Sequence, residues 1–141
     1  MFKTSHAVKT LSTPEEVWAL VKDVGKWKNW LLGVEAVQIN GPLESGGLGI
    51  LYLGDGMVHQ MYVQKYDLGY LEIFLSLRYR VKMHLVIDVS PEPRGSKVKL
   101  EGELVGAMSL LHLWGWGKNL KTGLIPTTRR LGVLSQEPSG Y

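Results

Sequence analysis

Apolar and polar residues alternate with a period of two over much of the chain after residue 34, and this pattern predicts β-strands. The alternation is clearest near residue 85, where Met83, Leu85 and Ile87 share one face and Lys82 and His84 share the other. Glycine, proline and asparagine interrupt the pattern at short intervals, which favours consecutive antiparallel hairpins. Seven strands are predicted, over residues 2–10, 34–40, 48–53, 57–66, 70–77, 79–89 and 97–105.

Two short helices are predicted between the first and second strands. Thr13 can cap the first free backbone N–H groups, and Pro14 needs no hydrogen bond of its own at the first helical position. Glu15 and Glu16 place negative charge at the positive end of the helix dipole. This helix should end by residue 25, and a second should follow over residues 26–33.

A third helical segment, over residues 109–134, is needed to cover the apolar face of the sheet. Its propensity is poor, because each of its glycines costs about 1 kcal/mol relative to alanine. Pro126 removes a helical hydrogen bond, so a kink or a break is expected there.

Length and composition indicate one globular domain. The chain has 141 residues, and we expect a single domain over residues 1–136 with a flexible tail over residues 137–141. Apolar residues make up 45% of the chain and charged residues 21%, which excludes intrinsic disorder. The absence of cysteine excludes disulfides, thiolate zinc sites and a cysteine nucleophile, and it is consistent with a cytoplasmic location.

The charge distribution favours neither nucleic acid nor membrane as the main partner. The net charge is only +3, and most basic residues are scattered, so nucleic-acid binding is not expected. Residues 109–136 contain four basic and no acidic residues, which makes a membrane-surface role the third hypothesis. The longest uncharged apolar run, residues 104–117, is shorter than the roughly 20 residues of a membrane span, and no signal peptide is visible.

Three motifs resemble a known superfamily. They are the STPEEVW start of the first helix at residues 12–18, followed by Asp23 and the Trp27/Trp30 pair, the GGLG hairpin at residues 46–49, and the PRGS turn at residues 93–96. Together they resemble the START/Bet v 1-like superfamily, in its polyketide cyclase/dehydrase-like branch, over about residues 2–135.

The resemblance implies an α+β helix-grip fold, in which a curved antiparallel sheet of about seven strands wraps around a long C-terminal helix. Two short helices follow the first strand, and a deep apolar cavity lies between the sheet and the long helix. The glycines and Pro126 of the last segment depart from this pattern.

The predicted function is to bind a hydrophobic small molecule, lipid-like or aromatic/polyketide, in that cavity. The alternative is an enzyme of the polyketide cyclase/dehydratase or isomerase type, in which His59 or Tyr52 moves a proton. No cofactor and no metal site is expected, and the protein is expected to be a monomer or a homodimer. The predicted lining residues are Trp30, Tyr52, His59, Met61, Ile73, Leu75, Met83, Leu85, Leu110, Trp114, Gly117 and Lys121.

Several of these residues also have a purely structural interpretation. Trp27 and Trp30 are interpreted first as core packing at one end of the sheet. His59 is interpreted first as a satisfied core or pocket-lining histidine, since no partner is visible in the sequence. His84 is expected to face solvent and Glu72 to lie on the outer face of the sheet.

Overall fold

The fold is a seven-stranded antiparallel sheet with two short helices inserted after its first strand. The computed structural model describes residues 2–31, 34–54, 56–76 and 81–105. The helices are α1 (Pro14–Lys22) and α2 (Trp27–Trp30), joined by a 3-10 turn over Val24–Lys26. The strands are β1 (Phe2–Thr10), β2 (Val34–Ile39), β3 (Leu48–Leu53), β4 (Val58–Asp67), β5 (Tyr70–Ser76), β6 (Lys82–Glu92) and β7 (Gly95–Val105).

The strand order is β1-β7-β6-β5-β4-β3-β2, and every neighbouring pair is antiparallel. Strands β2 to β7 are therefore consecutive hairpins, as predicted. The chain leaves β1, forms the two helices and returns at the opposite edge, so β1 pairs with the last strand. The β6–β7 hairpin is tighter than predicted, because Glu92 already pairs with Gly95, whose φ of 113° favours glycine.

The start of α1 has the predicted cap. The Thr13 side chain accepts a hydrogen bond from the Glu16 backbone N–H at 3.2 Å, and the Glu16 carboxylate accepts one from the Thr13 N–H at 2.9 Å. This reciprocal pair satisfies two free donors of the first helical turn. The first turn therefore holds α1 at a fixed point after β1.

The two faces of the sheet differ in burial. We call the face that packs against α1 and α2 the inner face, and the opposite one the outer face. Within the strands, side chains alternate between the two because successive residues of a strand point in opposite directions. The inner face includes His6, Leu51, His59, Met61, Val63, Tyr66, Leu71, Ile73, Leu75, Met83, Leu85, Ile87, Val98, Leu100 and Leu104.

Tryptophans close one end of the inner face. Trp27 and Trp30 are both fully buried, and their ring centroids are 5.7 Å apart. Each indole N–H donates to a carbonyl of α1, Trp27 to Val21 at 2.7 Å and Trp30 to Leu20 at 3.1 Å. The helix pair is therefore fixed by apolar burial and by satisfied polar groups together.

A bulge in β4 turns Tyr66 inward. The pairing with β5 shifts between Val63 and Lys65, which reverses the alternation beyond that point. The Tyr66 backbone N–H donates to the Ser45 hydroxyl at 2.8 Å, and the Tyr66 hydroxyl accepts from the Trp18 indole at 3.2 Å. The bulge thus joins the β2–β3 loop, the sheet and α1.

Several predictions lie outside the described residues. They are the C-terminal helical segment of residues 109–134 with its break at Pro126, the tail of residues 137–141, and the lining residues Leu110, Trp114, Gly117 and Lys121.

Candidate functional site

The candidate site is the part of the inner face that extends away from the tryptophan end of the sheet. Six of the predicted lining residues lie on this face, five apolar ones and His59, and strand register brings the five apolar side chains side by side. Met61 is opposite Leu75, which is opposite Met83, and Ile73 is opposite Leu85 in the neighbouring row. Four of the five are buried and Met83 is half-buried.

His59 is the polar exception among these side chains. It lies on β4 opposite Leu51 of β3, two residues before Met61, and only 5% of its surface is exposed. Its Nδ1 is 3.1 Å from the carbonyl oxygen of Ser76, the last residue of β5. Its Nε2 is buried and has no hydrogen-bond partner among the described residues.

The contact with Ser76 fixes which ring nitrogen of His59 donates. A carbonyl oxygen can only accept, so Nδ1 holds the proton in this hydrogen bond. In the uncharged ring, Nε2 then has a lone pair and no hydrogen. The arrangement presents one fixed hydrogen-bond acceptor within an otherwise apolar set of side chains.

Tyr52 does not lie beside His59, and this corrects the expectation that both line one cavity. Tyr52 pairs with Val58, whereas its neighbour Leu51 pairs with His59, so the two side chains are on opposite faces. The Tyr52 hydroxyl donates to the Gln38 side-chain oxygen at 3.0 Å on the outer face. The cause is strand alternation, which places adjacent residues of β3 on opposite sides.

Trp30, the remaining predicted lining residue in the described part of the chain, lies in the core. It is fully buried between α2 and the sheet, with its indole N–H bonded to Leu20. The structural interpretation of the Trp27/Trp30 pair agrees with this position.

The inner face contains a second histidine. His6 on β1 is half-buried and pairs with Leu100 of β7, so it shares the inner face. Three strands separate β1 from β4, and the row of paired residues that starts at His6 reaches β4 at Tyr66, seven residues away from His59, so the two histidines are not neighbours. The sequence left the orientation of His6 open, because apolar and polar residues do not alternate cleanly in β1.

A depression lies beside the helix pair. It has a volume of about 520 Å³ and is lined by residues of the α1 end, the β2–β3 loop and β4, among them Val24, Ile39, Leu43 and Tyr66. Lys22 and Asp23 stand at its polar side. Two further depressions, of about 430 and 240 Å³, lie over β2 to β6, around the outer-face side chains Ile50, Gln60 and Tyr62.

His84 on the outer face has partners at both ring nitrogens. Its Nε2 is 2.8 Å from a Glu72 carboxylate oxygen, and its Nδ1 is 3.9 Å from Glu103. Its ring stacks on Phe74 with centroids 4.5 Å apart. The side chain is 21% exposed, so the expectation that His84 simply faces solvent is wrong, whereas Glu72 does lie on the outer face.

Tyr70 lies beside His84, Glu72 and Phe74, and we call these four residues the outer-face cluster. Its hydroxyl donates to Glu72 at 3.1 Å. Partial burial raises the pKa of Tyr70 above its usual 10.0, and the negative charge of Glu72 raises it further. The cluster therefore stabilises the protonated phenol.

Comparison with solved structures shows which known fold this chain has. No protein-family model and no curated protein sequence matches the chain. Protein MLL2253 from Mesorhizobium loti superposes with a TM-score of 0.77 at 14% identity, covering 94% of this chain and 95% of that one. Ara h 8.0201 gives a TM-score of 0.68 at 12% identity, over 94% and 96% of the two chains. The chain has the START/Bet v 1-like fold.

A polyketide-related structure shows the same fold. The di-domain ARO/CYC StfQ from the steffimycin biosynthetic pathway gives a TM-score of 0.77 at 10% identity, covering 99% of this chain and 52% of that one. This chain therefore spans about half of StfQ. The predicted resemblance to the START/Bet v 1-like superfamily is confirmed at the level of the fold.

Within this START/Bet v 1-like fold, the described residues include no group of three or more histidine, aspartate or glutamate side chains that could hold a metal ion. No helix in the described ranges is long and apolar enough to cross a membrane. Around His59, the described inner face offers apolar contact and a hydrogen-bond acceptor, the Nε2 of that ring.

Proposed function

We propose that this protein binds an apolar small molecule, lipid-like or aromatic, against the inner face of the sheet. The observation that supports it best is the isolated buried nitrogen of His59 among Leu51, Met61 and other apolar side chains. Ligand pockets combine a mainly apolar wall with a few placed polar groups, and this arrangement has that composition. Met61 and Met83 add side chains that adapt to different ligand shapes.

Binding is favoured over catalysis by what surrounds His59. General acid–base catalysis usually needs a titratable group oriented by a second one. Among the described residues, the only partner of the His59 ring is the Ser76 carbonyl, and Tyr52 is on the opposite face. The described site therefore has an acceptor without an acid–base partner.

The second candidate is a polyketide cyclase/dehydratase or isomerase that uses the same face. Two observations favour it: the fold likeness to the ARO/CYC protein StfQ, and the free nitrogen of His59, which is chemically able to take a proton. On this hypothesis, replacing His59 abolishes turnover of a reactive polyketide chain, whereas a binder shows no turnover to lose.

Native mass spectrometry of gently purified protein, followed by organic extraction, tests the binding proposal. We expect a bound apolar molecule, or else a clear thermal shift and measurable affinity within a panel of lipids and aromatic compounds. An apo mass with no thermal shift across the panel would contradict the proposal.

A pair of neighbouring substitutions tests which face binds. Met83 is half-buried on the inner face, and Lys82 is exposed on the outer face beside it. Met83→Trp should fill space on the inner face and weaken binding of the best panel compound by at least about tenfold. Lys82→Trp is the matched control and should leave binding within about twofold; the reverse result would place the ligand on the outer face.

A further inference from the structure

We propose that His59 Nε2 accepts a hydrogen bond from a hydroxyl group of the ligand, so that the ligand is an uncharged apolar molecule bearing a phenol or an alcohol. This inference rests on the proposed binding function and adds the chemical class of the ligand. It starts from His59 Nε2, a buried atom that has no hydrogen-bond partner among the described residues.

Strand pairing fixes the backbone of His59, and one hydrogen bond fixes the orientation of its ring. Its strand β4 pairs with β3 at Leu51, and its Nδ1–H donates to Ser76 at the end of β5. A ring held in this way cannot turn Nε2 towards another partner without giving up the Ser76 hydrogen bond. The acceptor is therefore preorganised, which lowers the entropic cost of binding a donor.

The unpaired nitrogen also selects for a donor. A buried polar atom without a partner loses its interaction with water and gains nothing in exchange. A ligand hydroxyl at hydrogen-bond distance from Nε2 restores that interaction, whereas an ether oxygen or a purely apolar atom does not. A site of this kind discriminates against analogues that lack the donor.

The described surroundings of His59 disfavour an anionic ligand. The described inner-face side chains include no lysine or arginine, and Lys65 of β4 and Lys82 of β6 point outwards. A carboxylate or phosphate bound beside Nε2 would lose its hydration without a countercharge among these residues. A neutral hydroxyl pays a much smaller desolvation cost.

Naphthol and its methyl ether are the probes that test this inference. They share an aromatic body and differ in whether the oxygen can donate a hydrogen bond. By fluorescence titration, wild-type protein should bind naphthol about tenfold more tightly than the ether, the size expected for one well-placed hydrogen bond. In His59→Phe the preference should fall to within about twofold, while Tyr52→Phe, which removes a hydroxyl from the outer face, should keep it.

A second measurement does not depend on the folding of a variant. In wild-type protein labelled with nitrogen-15 in its histidine rings, naphthol should shift the Nε2 resonance of His59, and the ether should not. The resonances of His84, on the outer face, should stay unchanged with both probes.

The outcomes separate this inference from the function on which it rests. Equal affinity for the two probes with an unchanged His59 resonance would overturn the hydroxyl acceptor and leave apolar binding in place. Failure of both probes, together with failure of the whole lipid and aromatic panel, would overturn the binding function and the inference with it.

Discussion

Two histidines on opposite faces of one sheet have opposite surroundings. His84 on the outer face is within ion-pair distance of Glu72 and Glu103 and stacks on Phe74. His59 on the inner face is more deeply buried, yet only one of its nitrogens has a partner among the described residues. The more exposed of the two side chains is therefore the one with a carboxylate near each ring nitrogen.

On the proposed function, this difference separates a structural histidine, His84, from a ligand-binding one, His59. His84, with a carboxylate near each ring nitrogen and the Phe74 ring stacked on it, stabilises the packing around it. His59 Nε2 is a buried nitrogen without a partner among the described residues, and this costs stability unless a bound group supplies a hydrogen bond. The inner face is therefore where a ligand is expected, although the exposed apolar side chains Leu48, Val58 and Tyr62 lie on the outer face.

The largest difference between the two faces should appear in how much a truncated side chain lowers the free energy of unfolding. Leu71 on the inner face is fully buried, and Leu71→Ala should lower the free energy of unfolding by about 2–5 kcal/mol. Tyr62→Ala removes a larger side chain from the outer face, where 41% of it is exposed, and should cost about 1 kcal/mol or less. Urea denaturation measures both; similar losses would contradict the assignment of the two faces.

A smaller loss of stability is expected when a residue of the outer-face cluster is replaced. Glu72→Gln weakens the bond to His84 and the one from Tyr70, so we expect a loss of about 1 kcal/mol. The more exposed Lys99–Glu101 pair, 3.2 Å apart, is the control, and Lys99→Gln should change stability by about 0.5 kcal/mol or less. If the two substitutions lower the free energy of unfolding by the same amount, the outer-face cluster contributes no more to stability than an ordinary surface ion pair.

The raised pKa of Tyr70 predicts a pH effect. Because the phenol loses its proton more readily in the unfolded chain than in the folded one, its contribution to stability is fully present below pH 10.0 and is lost as the pH rises through the folded-state pKa. Above pH 10.0, the stability of Tyr70→Phe should therefore fall less steeply than that of the wild type. Parallel falls in denaturation series at several pH values would show that Tyr70 makes no such contribution.

The smallest change in stability is expected when Tyr52 is replaced. Tyr52→Phe removes only an outer-face hydrogen bond to Gln38 whose groups are exposed, so stability should change by about 0.5 kcal/mol or less. Affinity for the best ligand of the panel should be unchanged. A tenfold loss of affinity would return Tyr52 to the binding site and contradict the register of β3.

Much of this fold could be predicted because the signals are local. The Thr13 cap, the glycine turns and the alternation in β6 each depend on a few neighbouring residues, and all appear in the structure. The same alternation predicted which side chains of β4, β5 and β6 point inwards, namely Met61, Ile73, Leu75, Met83 and Leu85.

The errors came from strands or contacts for which a local pattern is insufficient. In β3 apolar residues occupy both faces, so alternation does not show that Leu51 points inwards and Tyr52 outwards. The solvent exposure of His84 was overestimated because Glu72 and Phe74, which enclose it, lie on the neighbouring strand. The bulge that turns Tyr66 inward was not predicted, and the residue that accepts its backbone N–H, Ser45, lies in a loop distant in sequence. Each of these is set by long-range pairing, which a single sequence does not reveal.

The most direct test of the account is methyl NMR of wild-type protein titrated with an apolar ligand from the panel. Ile73 and Leu51 lie on the inner face, whereas Ile50 and Val58 lie on the outer face of the same strands or their neighbours. The account predicts that ligand shifts the methyl resonances of the inner pair and leaves those of the outer pair in place. Shifts confined to Ile50 and Val58 would contradict an inner-face binding site.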